Sequence, residues 1–144
     1  MVMRVAALCM LIAGPAAAQS VPAAQSLAVE LNTAEDMDTA TGGACRLSFL
    51  AENKLGADLS AVVFEVVVLN AQGQVDRLTL LDFQDLPQGR KRVRQFDLPG
   101  LTCDTVAQLL INAANTCTGK GMDPDACMKG LAVTSRVTGT EVSG

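Results

Sequence analysis

The sequence predicts an all-β protein: a small immunoglobulin-like antiparallel β-sandwich of about six to seven strands, with one short helix before the last strand. Three observations carry that prediction. Apolar runs, alternating or β-branched, recur along the second two-thirds of the chain. Turn residues punctuate them at short intervals. Four cysteines follow an export signal, an even set suited to an oxidising compartment.

The beginning of the chain is read separately. Arg4, the apolar run Val5–Ala13 and the small residues Ala16-Ala17-Ala18 have the pattern of a signal peptide cut after Ala18. The run is shorter than the about 20 residues that a membrane span needs. No cysteine follows the cut, so no lipid anchor is expected. No Arg-Arg pair precedes the run, so general secretion is expected rather than twin-arginine export. The expected location is the periplasm or the exterior, with no transmembrane segment in the mature chain. Gln19–Gly43 carries Glu30, Glu35, Asp36 and Asp38 and no Lys or Arg. It reads as a flexible acidic arm, either a spacer or a segment that docks a partner. The expected organisation is signal peptide 1–18, arm 19–43, sandwich 44–138 and a loose tail 139–144.

From Ala44 the elements follow in order. Cys45–Ala51 alternates, with Cys45, Leu47, Phe49 and Ala51 on one face. Ala61–Leu69 is β-branched and broken only by Glu65, which predicts a central strand covered on both sides. Asn70–Gly73 is a tight turn. Gln74–Phe83 and Arg90–Phe96 are strands around Leu86-Pro87-Gln88-Gly89. Thr105–Ala113 is a strand, with a helix over its first half, and hence an α/β fold, as the alternative. Asp123-Pro124-Asp125 opens a short helix, with Asp123 as N-cap and Pro124 at the first position. Gly130 closes it, and Leu131–Val137 is the last strand.

Cys9 leaves with the signal, so Cys45, Cys103, Cys117 and Cys127 remain. A strand between Cys103 and Cys117 would hold them roughly 45 Å apart at about 3.3 Å per residue, far beyond the about 7 Å that a disulfide allows. Cys117 and Cys127 flank a compact connection. The expected bonds are Cys45–Cys103 and Cys117–Cys127. The chain has no histidine and no C-x-x-C pair, so zinc and redox sites are not expected.

Composition narrows the function. There is no Trp or Tyr to form a stacking platform for sugars, bases or quaternary amines. The mature chain carries a net charge of about -5, which argues against nucleic acid. No histidine can serve as base to a serine nucleophile, and no phosphate-cradling loop occurs. No catalytic residue, cofactor or metal is expected.

Arg90, Lys91, Arg92 and Arg94 form the one dense basic cluster, and its three arginines stand at alternate positions. At a period of two they share a face, which Phe96 continues. An exposed row of guanidiniums could meet phosphate, an anionic lipid or an acidic protein surface. It could equally be a charged edge strand, or pair with Asp82, Asp85, Asp97 or the arm. Asp123 and Asp125 fit helix capping better than calcium, which needs six to eight oxygens. Glu65 reads as a solvent-facing residue rather than a buried acid.

Asn53, Val62–Leu69, Gly73 and Val75, with the Leu86–Gly89 turn, resemble the core of FxLYD-like extracytoplasmic domains, which are small β-sandwiches. Leu69-Asn70-Ala71 stands where those domains carry an aromatic–acid signature, and the four cysteines lie outside the pattern. The LTLLDF, RVRQFDLPGL and DPDAC stretches also resemble a family of exported alphaproteobacterial proteins, which implies export and no particular activity. Two functions stay open. One is a non-catalytic periplasmic module acting by protein contact, as an accessory of an envelope complex. The other is a domain binding an anionic lipid or small anion at Arg90–Arg94.

Overall fold

The computed structural model describes residues 24–40 and 42–144. The segment expected to be a signal peptide, with Cys9, lies outside them. Among the described residues eight strands form: β1 (Leu27–Thr39), β2 (Gly42–Asn53), β3 (Leu59–Leu69), β4 (Val75–Leu86), β5 (Lys91–Pro99), β6 (Gln108–Gly119), β7 (Leu131–Ser135) and β8 (Glu141–Ser143). They make two four-stranded sheets, ordered β5-β2-β1-β7 and β4-β3-β6-β8. The all-β sandwich predicted from sequence is the fold observed. Most pairings are antiparallel, but β1–β7 and β6–β8 are parallel.

The core lies between the sheets, built by residues at period two. Leu47, Phe49 and Ala51 of β2 face Val62, Phe64, Val66 and Val68 of β3, all buried. All four phenylalanines converge there. Phe83 packs edge-on against Phe49 and Phe64, at centroid distances of 5.5 and 5.4 Å, and tilted against Phe96 at 5.2 Å.

Both disulfides are those expected, with Cα–Cα separations of 4.8 Å for Cys45–Cys103 and 6.0 Å for Cys117–Cys127. The first ties β2 to the loop before β6. Chain entropy makes it the stronger constraint, about 4 kcal/mol against about 3 for the shorter loop.

Six expectations are corrected. The acidic arm is not flexible over residues 27–39: β1 pairs with β2 along its length and with β7 over Leu27–Leu31. Leu27, Val29 and Leu31 are buried, each contributing roughly 1.5–3 kcal/mol, which outweighs the acidic residues that follow. The tail is not loose. Glu141–Ser143 pairs with β6, Val142 is buried, and Thr140 Oγ1 donates to the Val106 carbonyl at 2.8 Å. Strands at both ends therefore raise the count to eight, and the helix α1 (Ala126–Lys129) precedes β7 rather than the last strand. Its N-cap is Asp125, not Asp123, and Pro124 lies outside it. Finally, β3 is covered on one side only, by the opposite sheet. Ala61, Val63, Glu65, Val67 and Leu69 are half-buried by lateral neighbours. Residues 108–119 are strand, which settles that choice against helix.

Asn53 fixes the end of the sandwich that carries the Arg90 turn. Its Nδ2 donates to the carbonyls of Ala57 and Leu86 at 2.8 and 2.7 Å, and its Oδ1 accepts from Leu55 N at 2.9 Å. One buried amide thus orders both the β2–β3 loop and the end of β4.

Candidate interaction surface

The arginine row does not form one exposed face. Arg90 precedes β5, in the turn. Within β5, Arg92 and Arg94 lie on the side of Phe96 and buried Leu98, toward the sandwich interior; Lys91, Val93, Gln95 and Asp97 point outward. Arg94 spans the gap between sheets. Its Nε donates to the Phe83 carbonyl at 2.6 Å and its Nη2 to the Asp85 carbonyl at 2.9 Å, with the Asp85 carboxylate at 3.4 Å. Its side chain is only 15% exposed. Arg92 approaches the same carboxylate at 4.0 Å. The signal was in the sequence: Phe96 and Leu98 continue the R-x-R row, and apolar residues mark a face as inner.

Arg77 makes the reciprocal link. Its Nη1 donates to the Pro99 carbonyl at 2.8 Å, and its Nε pairs with Asp76 at 2.7 Å. β4 and β5 are edges of different sheets, so these two arginines stitch the seam where the sandwich would otherwise lie open.

The outer faces of the two sheets differ in kind. On the β5-β2-β1-β7 sheet two ion pairs tie charges together. Arg46 grips Asp97 with two bonds of 2.7 and 2.9 Å, and Arg136 donates to Glu30 at 2.9 Å. The bond from Arg46 holds the Asp97 carboxyl below its usual range, and the same contact raises Arg46. Glu30 is lowered by bonds from Asn32 and then Arg136.

The β4-β3-β6 face is aliphatic. Strand register sets Leu78, Val67 and Leu110 side by side in one row. The next row is Leu80, Glu65 and Ala113, and Asp82 sits opposite Val63 beyond it. Leu78 and Leu80 are 55% and 51% exposed, and Val75 is 65% exposed. Glu65 accepts from Asn112 Nδ2 at 2.5 Å. β3, β6 and β8 contain no Lys or Arg, and Arg77, the one basic residue of β4, is turned to the seam. Sequence reasoning missed this surface because it took the β-branched run of β3 to be covered on both sides. Leu78 and Leu80, at period two in LTLL, signalled an apolar outer face.

The clefts carry less. One of about 510 Å³ lies between the β3–β4 turn and the loop before β6. Its acids are occupied: Asp76 by Arg77, and Asp104 by the Thr102 hydroxyl. Asp125 pairs with Lys129 at 2.6 Å along α1, and this bond lowers Asp125 and raises Lys129. Among the described residues no three His, Cys, Asp or Glu stand together as a metal site, and no helix is long and apolar enough to cross a membrane. In comparison with known proteins, no family model, curated protein or solved structure matches the chain.

Proposed function

We propose that this protein is an exported, non-catalytic module of the periplasm that acts by protein contact, and that its contact surface is the outer face of β4, β3 and β6. The observation that supports this most is the aliphatic row of Leu78, Val67 and Leu110 beside Leu80, in which Leu78 and Leu80 are more than half exposed and Val67 and Leu110 half-buried. Contiguous apolar surface on a folded domain marks an interaction site, and the ion-paired face of the other sheet offers no comparable gain on burial. Two disulfides suit an oxidising compartment, and the signal peptide pattern supplies the route. A photo-crosslinking residue placed at Leu78 in cells should join one recurrent envelope protein, and one at Val93 should not. Crosslinks at Val93 alone would reject the surface.

The second reading, an anionic ligand at the arginines, keeps support at Arg90 and Lys91, which are exposed together at the β4–β5 turn. Arg94 is committed to backbone carbonyls. Salt-sensitive binding of phosphatidylglycerol vesicles, lost on Arg90→Gln/Lys91→Gln, would favour it.

A further inference from the structure

We infer that the β4-β3-β6 face receives a cationic amphipathic segment of a partner protein, its aliphatic side on Leu78, Val67 and Leu110 and a lysine or arginine of it meeting Glu65. This deepens the protein-contact proposal and rests on it.

Register and charge carry the inference together. Directly opposed residues on adjacent strands are about 5 Å apart, so the three-residue row is about 10 Å long, the width of one helix with its side chains. The row containing Glu65 lies two residues along, about 6.8 Å away. Side chains one turn apart on a helix are separated by about 5–6 Å. A segment with leucines on the first row can therefore set a cation over the second. Glu65 has an acceptor oxygen left after its bond from Asn112. The charge on this face is of one sign, from Glu65 and Asp82, and no basic side chain points out of it. A second copy docked face to face would bring carboxylates together, and like charges across an interface cost several kcal/mol. An anionic bilayer is repelled for the same reason. A partner that is aliphatic and basic satisfies both features.

The test uses the mature chain with both disulfides intact and two fluorescent helical peptides of identical pattern, one Leu/Lys and one Leu/Glu. The Leu/Lys peptide should bind at least tenfold more tightly. Leu78→Thr/Leu80→Thr and Glu65→Gln should each weaken it at least fivefold, while Val93→Thr on the other sheet should not. Threonine retains β propensity at these exposed positions, and Leu80→Thr alone serves if the double variant unfolds. Glu65→Gln without effect, or equal binding of the Leu/Glu peptide, overturns the cationic partner and leaves the contact surface standing. The leucine variants without effect overturn the surface as well. A homodimer, or vesicle binding, that disappears in the leucine variants assigns the face to a second copy or to a membrane and overturns the inference.

Discussion

At Arg94 one guanidinium satisfies two backbone carbonyls of a neighbouring sheet edge. A hydrogen bond to a charged group contributes about 1.5–3 kcal/mol, and the planar fork reaches Phe83 and Asp85 together, which a lysine ammonium does not reproduce. Arg94→Gln should therefore cost about 2 kcal/mol or more in urea unfolding, and Arg94→Lys should recover little. Arg90→Gln should stay within about 0.5 kcal/mol, as exposed substitutions do. A loss shared equally among Arg90, Arg92 and Arg94 would refute the seam role. A triple change to Gln, which an exposed row would tolerate, should be destabilising through Arg94 alone.

At the scale of the element, β1 shows what its acids are for. β7 covers only Leu27–Leu31, and a register shift between Leu31 and Thr33 follows. Beyond it the strand continues with β2 on one side and bears exposed Glu35, Asp36 and Asp38. Charges on such an edge discourage pairing with another chain. Glu35→Thr/Asp38→Thr should leave the unfolding midpoint nearly unchanged and increase concentration-dependent association in sedimentation. An unchanged sedimentation profile would remove this role. Asp36 has a further duty, accepting from Cys103 N at 2.7 Å.

β1 also marks the limit of what could be read in the chain. Cys45–Ala51 and Ala61–Leu69 announce themselves by alternation and β-branching, and turn residues bound them. β1 does not: Leu27, Val29 and Leu31 alternate for only five residues before the acids begin, and the second partner that covers them, β7, is distant in sequence. Val142 in β8 is legible only once Ala107 and Leu109 are known to lie beside it. The contact surface was hidden differently. Whether the second face of β3 is covered depends on how many layers the fold has, and that is a property of the assembled sheets.

For the whole molecule, the chain has no histidine, so no side chain of ordinary pKa titrates between about pH 5 and 8. Glu30, Asp97 and Asp125 have carboxyls lowered by their hydrogen bonds. Their contribution is present above the unfolded-state pKa and is lost as pH falls through the lowered native value. The thermal midpoint should be flat from neutrality to about pH 5 and fall below about pH 4. Asp97→Asn should shrink that fall. A transition near pH 6 would contradict this assignment. Lys129 works in the other direction: its pKa is raised, so its share is lost only as alkaline pH passes through the raised value.

The pairing of Leu27 with Leu131 also sets a timetable. β1 is made early and waits for β7, which is made after every other strand except β8. Until then one edge of β1 stands open, and β1 to β6 can already associate. Contacts between such distant residues are slow to form, and β-sandwiches fold in milliseconds to seconds. Sheet completion is therefore a late event, and the acids of Glu35, Asp36 and Asp38 guard their half of that strand while the other half is still waiting.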